Sequence, residues 1–596
     1  METEAQLLFQ MGAIMLLAFL AATLARKANQ SVMIGYIAIG ILIGPKISFE
    51  LLGYEYNGLI TDTGLIEMLS YVGLVMLMFF VGLEFSFSKL KKTRTPAIIL
   101  AVIDTSVGLF VGFVFASYLG WPLIDSIFLA GVVAMSSTSI AMKILFDLKR
   151  MSSPEVEFLI GLVVVETFIA MLILTVASGM VVRPEAAPSE YGQLLLGMAA
   201  FYAFFVWVAM FAVPKVVSLF NSIENDEMFI LFALGTVFLV SGFAAVMNVP
   251  PIIGAFFIGM VLAETNVSTR VRSKLESFKD AFVAIFFTSF GMMIDPAKFP
   301  EVIWMVALAI PLVLLYEVLV MASVTHFIGF SPKASMTVGT SASGRGVESI
   351  LYASVGSNVQ GATMGSLLNP FAGAFCFAMS AISPTLVKHS AALAGAVGRL
   401  VPRPVKFSAA VISRTLGKVI LPSSLKVFKG AKMTGVLLFS FVLLLTAIVL
   451  VDSSLHIVLV LFGLVMAAAV YFVVRFEVSE VVKHVNYTNL GVRSQSGDAI
   501  VGLVSWVVSG AALSALAIVS VWTYFWEFSL VVAAAYVLSL VFVMVRTHAR
   551  IYVEVQPVPL KVYNFPRPPR EADAGEEDLP KPVYGIVKAV PRDSRL

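Results

Sequence analysis

IGYIAIG, residues 34–40, returns as IGAFFIG at residues 253–259, and FFVG at 79–82 has its counterpart in FFTS at 286–289. All four motifs sit in long apolar stretches. A membrane span needs about 20 mostly apolar residues, fewer where its helix is broken. On that rule the chain holds seventeen candidate spans: 5–25, 31–46, 68–86, 96–118, 124–147, 156–180, 191–213, 227–248, 251–264, 280–294, 302–326, 334–355, 362–387, 433–451, 454–474, 498–522 and 527–545. The first motif pair falls in spans two and nine, the second in spans three and ten. Both offsets are seven, and an odd offset makes the two copies enter the membrane from opposite sides. That is an inverted-topology repeat, the common build of secondary transporters.

Composition supports the span count. Of 596 residues, 59% are hydrophobic and 13% charged, with a mean hydropathy of +0.95. Soluble domains carry about 25% charged residues, so this is an all-α polytopic membrane protein. A net charge of +3 gives no nucleic-acid signal. The single Cys376 excludes an intrachain disulfide, and the five histidines have no metal-ligand spacing. The acidic METEA start lacks the basic segment of a signal peptide, so the first apolar stretch is read as a permanent span.

Lys and Arg concentrate in cytoplasmic loops. With the N-terminus outside, only Lys46, Arg183 and Lys298 fall in outside loops and Arg345 falls within a span; the other 36 of the 40 basic residues lie inside. The expected orientation is N-outside and C-cytoplasmic in the plasma membrane. Four regions follow: thirteen spans over 1–390, a basic amphipathic linker over 391–431, four more spans over 432–546, and a Pro-rich tail over 547–596. Residues 388–432 hold nine Lys/Arg and no acid. Their interleaved apolar residues suggest a segment lying on the anionic inner leaflet.

Ionisable residues at mid-membrane cost about 2.5–3.5 kcal/mol each on insertion scales. Asp104, Glu166, Glu317, Arg345 and Glu348 are the candidates; Glu84, Glu264 and Lys143 sit nearer span ends. Arg345 and Glu348 are three apart and are expected to neutralise each other on one helix face. Glu166 stands alone in GLVVVETFIAML (161–172). A lone carboxyl there is cheapest when neutral and can ionise when a cation replaces its proton. That competition is the minimum machinery of proton-coupled cation exchange. Spans five and twelve, again seven apart, contain AMSSTSIA (134–141) and GTSASGRGVES (339–349). Such runs suit unwound helix segments, whose freed carbonyls and hydroxyls can ligate a small cation. Ser136, Ser137, Thr138 and Ser139 are the oxygen candidates, and Ser343 is expected to modulate the site. They also suit ordinary helix packing.

GYIAIGILIGP (35–45), LMFFVGLEFSFSKLKK (77–92), MSSTSIAMKIL (135–145), PPIIGAFFIGMVLAET (250–265) and FKDAFVAIFFTSFGMMID (278–295) together resemble the monovalent cation:proton antiporter-2 family, over about residues 1–390. This family includes Kef-type potassium efflux systems and bacterial sodium/proton antiporters. The resemblance implies thirteen core spans, a homodimer, and a core moving like an elevator against a dimerisation domain. It implies two crossed, partly unwound helices framing a Na+ or K+ site, matched here by Thr138 and by Ser343–Glu348. The family's essential Asp, preceded by Asp, Asn or Gln, falls on Glu166, preceded by Val165. The position where many relatives carry Lys falls on Glu317. No GxGxxG follows a strand-like run, so no nucleotide-binding regulatory domain and no cofactor are expected.

The leading reading is a secondary antiporter exchanging protons for Na+ or K+. An uncoupled cation conduit would use the same pore, although rings of charge or a carbonyl filter would be more typical of a channel. A transport-inactive sensor would fit the altered site and appended spans. An enzyme has least support, since no nucleophile–base pairing or metal motif is present.

Overall fold

A computed structural model of the chain describes residues 2–28, 32–51, 54–84, 95–137, 140–141, 144–145, 154–181, 223–246, 251–263, 265, 267–359, 361–420, 453–483, 485, 496–525 and 529–552. These residues are almost wholly helical. In hydrocarbon every backbone N–H and C=O must be satisfied internally, and a helix does so within one segment. The exception is a hairpin of β1 (Phe49–Leu51) and β2 (Tyr54–Tyr56), antiparallel with Phe49 opposite Tyr56. Among the described residues, nine helices are long and apolar enough to cross a membrane. Every expected span that falls on described residues is met by a helix or by broken halves of one. Spans 191–213 and 433–451 lie outside the described residues, as do Lys143, Glu264 and most of the 547–596 tail.

The first half of the chain gives α1 (Glu2–Lys27), α2 (Val32–Ile43), α3 (Thr63–Glu84), α4 (Thr95–Tyr118), α5 (Leu123–Ala134), α6 (Pro154–Val181), α7 (Asp226–Val246), α8 (Pro251–Ala263) and α9 (Ser268–Met293). At 12 residues, α2 is about 18 Å long, too short to span alone, and it is carried by its neighbours. It packs on α9, while its repeat counterpart α8 packs on α3. Each contact is set by a pair of facing glycines, Gly40 with Gly291 and Gly82 with Gly259. A Cβ on Gly40 would lie 2.2 Å from the Thr288 carbonyl oxygen, and one on Gly259 would lie 2.2 Å from that of Phe79. Each copy of the repeated motif therefore lays a bare backbone against the other copy's helix. Around these crossings the core is aromatic, with Phe79, Phe286, Phe287 and Phe290 all buried.

Next come α10 (Phe299–Leu315), a wider π-type turn (Tyr316–Met321), α11 (Ala322–Phe327), α12 (Pro332–Ala342), α13 (Val347–Ser357) and α14 (Gly365–Lys388). The expected break in span twelve is real, with residues 343–346 separating α12 from α13. Span five breaks as well: α5 stops at Ala134, and Met135 turns extended at φ −76°, ψ 117°. The two breaks meet, with the Ser137 N–H donating to the Gly344 carbonyl at 2.8 Å.

Beyond α14 lie α15 (Ser390–Leu400), α16 (Arg403–Ile420), α17 (Ser453–Val482), α18 (Gly497–Phe525) and α19 (Ser529–Ile551). The basic linker packs against protein on its apolar side. The apolar face of α16 buries Val411 and Ile412 completely, against α17, α18, α19 and α11. Three membrane-type helices compete with lipid for that face and cover it. Lys388, Arg399, Arg403, Lys406 and Arg414 remain exposed.

Candidate functional site

Glu166 lies midway along α6 and is only 2% exposed. Its own helix offers no partner, but the break after α5 does. The Ser136 backbone N–H donates to Oε1 at 2.8 Å, and the Ser136 hydroxyl donates to Oε2 at 2.5 Å. A helical Ser136 would have spent its N–H on an intrahelical carbonyl; the extended Met135 turns it aside instead. Two donors on one carboxylate are charge-assisted and fix its orientation. The break in span five is thus built to hold an acid.

The break in span twelve holds a base. Arg345 is completely buried. Its Nε donates to the Val133 carbonyl at 2.9 Å, and one terminal nitrogen donates to the Ala342 carbonyl at 2.7 Å. The other donates to Tyr316 Oη at 2.5 Å and to Glu317 Oε1 at 2.7 Å. Val133 and Ala342 lie at the C-terminal ends of α5 and α12, where carbonyls lack intrahelical partners and the helix dipole is negative. One guanidinium therefore closes both helix ends. The expected pairing of Arg345 with Glu348 is not made: the buried ion pair is Arg345–Glu317. The i, i+3 argument required a continuous helix, whereas Arg345 precedes α13 and Glu348 sits in its first turn. Glu317 lies in the π-type turn, which also carries Tyr316.

Other freed carbonyls are engaged too. Met135 accepts from Ser349 Oγ, Ala134 from Tyr316 Oη, and Thr340 from Ser343 Oγ. Ser343 Oγ also lies 3.0 Å from Ser383 Oγ. These freed carbonyls are thus committed to protein donors. The side-chain oxygens differ. Ser137 Oγ, Glu317 Oε2 and both Asp104 oxygens are buried with no hydrogen-bond partner among the described residues. Asp104, on α4, is 1% exposed and lies in the fields of Glu317, Glu166 and Arg345. Thr138 and Ser139 lie outside the described residues.

The sequence reading missed Ser136 as the partner of Glu166, Tyr316, and the fully buried Asp125. Asp125 accepts from Thr363 N–H at 3.1 Å and Met364 N–H at 3.0 Å. It caps the approach to α14 and is a structural carboxylate. An acid just after Pro122 in an apolar run was its only signal. Among the described residues no cluster of three His, Cys, Asp or Glu could hold a resident metal.

Residues 15–389 match the family model described as "Sodium/hydrogen exchanger, transmembrane". The chain belongs to that family. It is a family of secondary transporters, not of enzymes. Among its relatives, a K(+)/H(+) antiporter subunit from Bacillus subtilis, KhtU, is 31% identical over 64% of this chain and 93% of its own length. An ammonium/H(+) antiporter subunit from Alkalihalophilus pseudofirmus, AmhT, is 29% identical over 58% of this chain and 86% of its own. The sodium proton antiporter MjNhaP1 from Methanocaldococcus jannaschii has a similar fold, at TM-score 0.50 and 15% identity, over 66% of this chain and 99% of that one. The exchanger match ends before α15.

Proposed function

We propose that this exchanger trades protons for Na+ or K+ across the plasma membrane, with Glu166 as the carboxylate that receives the cation. The observation that carries the reading is Glu166 itself. It is a buried acid whose oxygens are oriented by Ser136 at a helix break and which pairs with no base among the described residues, Arg345 being spent on Glu317. Ser137, next in the chain to Ser136, adds an uncommitted neutral oxygen, and Thr138 and Ser139 are proposed to complete the ligand set. Hard oxygen ligands suit Na+ and K+. The K(+)/H(+) and Na(+)/H(+)-K(+) activities named for relatives in Bacillus subtilis and Bacillus cereus support the same substrate class.

Alternating access by an elevator-like movement of the broken-helix core, a homodimeric assembly, and an N-outside, C-cytoplasmic orientation complete the proposal. The exposed basic residues of 388–432 would meet anionic headgroups by charge alone. Proteoliposomes with a trapped pH dye test it. Added Na+ or K+ should drive protons out of the lumen with wild-type protein and not with Glu166→Gln. Cation flux without proton movement would instead mark a conduit, and neither flux a sensor.

A further inference from the structure

The two unpaired acids of the site are built differently. Glu166 has donors on both oxygens, an N–H and an O–H from Ser136. Asp104 has none among the described residues, although it is 1% exposed. Hydrogen bonds donated to a carboxylate support its charge, and burial without them opposes it.

Among the described residues packed on α4, no cation pairs with Asp104. α6 presents Glu166. The π-type turn presents Glu317 and Tyr316, and the break in span twelve presents Arg345, which is already held by both of them. α5 carries Asp125, which is committed to Thr363 and Met364. α10 carries Glu301, paired with Lys298 at its far end. One turn along α4 from Asp104, Gly108 lies against Tyr316 Oη and Ala134, which places this face of α4 at the helix crossing.

We propose that the two roles of the site are divided: Glu166 stays ionised and ligates the cation, while Asp104 carries the exchanged proton. This rests on the antiporter reading and assigns its proton. When the cation arrives beside Glu166, its field favours a second negative charge, and the proton on the Asp104 carboxyl leaves to water on the open side. When the cation departs, Asp104 takes a proton from water on the other side. One proton moves for each monovalent cation, and the site's net charge is the same on both strokes.

The test is binding of radiolabelled Na+ or K+ to the purified full chain across a pH series. In wild-type protein the apparent Kd should tighten about tenfold per pH unit where the proton competes. Asp104→Asn should bind the cation with no such pH dependence and should lose proton-coupled transport. Asp104→Glu should keep the dependence with a displaced midpoint. Glu166→Gln should not bind at all. A stable Asp104→Asn protein with the wild-type pH dependence would return the proton to Glu166 and overturn the proposal, as would one that binds no cation. If Asp104→Asn does not fold, an undisplaced midpoint in Asp104→Glu would overturn it. Wild-type binding with no pH dependence would instead defeat the antiporter reading itself.

Discussion

The breaks in spans five and twelve stand at equivalent places in an inverted repeat, yet they are finished with opposite chemistry. The first turns the Ser136 N–H and hydroxyl onto a carboxylate. The second fills itself with Arg345, which reaches across to the ends of both α5 and α12. The repeat supplies geometry twice, and the side chains make one copy the holder of an acid and the other a plug. An exchanger of one cation needs only one open break. The buried Arg345–Glu317 pair is neutral as a unit, so it leaves the Glu166 side to set the charge that a cation meets.

Removing the plug should have the largest effect. Arg345→Met strands Glu317 as a buried charge and leaves two helix ends uncapped, a cost of about 3–5 kcal/mol. Thermal unfolding in detergent should show it, and Arg345→Met with Glu317→Leu should recover much of the loss. Persistence of the full loss in the double variant would show that the caps on Val133 and Ala342 matter more than the ion pair. On the other side, Ser136→Ala removes one charge-assisted bond to Glu166, worth about 1.5–3 kcal/mol. The measured outcome is an apparent cation affinity at least about tenfold weaker, with Tm nearly unchanged.

The symmetry itself can be tested at Gly40 and Gly259. Alanine at either pushes a Cβ into a carbonyl oxygen, and overpacking of this kind costs about 1–3 kcal/mol. The two variants should lose similar stability, whereas a large inequality would break the structural equivalence of the repeats. The smallest effect concerns Glu348. In a double-mutant cycle, Arg345 with Glu348 should show far less coupling than Arg345 with Glu317, which should reach about 0.5–3 kcal/mol.

What the sequence disclosed was what local pattern controls. The IGYIAIG and IGAFFIG motifs carry their glycines because backbones touch there, and that requirement shows in residue type. The small, hydroxylated runs at 134–141 and 339–349 signalled breaks for the same reason. Glu166 was legible because an acid in an apolar helix needs a purpose. Its Ser136 partner was not, because an N–H freed by a helix end leaves no mark in composition. Arg345 was assigned to Glu348 by spacing, and spacing fails where the helix itself is interrupted. Its true partner lies 28 residues back, a pairing only tertiary packing reveals. The amphipathic pattern of α16 showed an apolar face but not that α17, α18 and α19 would cover it.

The central claim is that a cation bound at the acid-holding break displaces a proton from the site, and proton release on cation binding tests it most directly. Purified wild-type protein in weak buffer, titrated with Na+ or K+ against a pH indicator, should release about one proton for each cation bound. Glu166→Gln, correctly folded, should release none. Wild-type release that survives in Glu166→Gln would contradict the account, because the cation would then be displacing protons without the carboxylate on which the site is built.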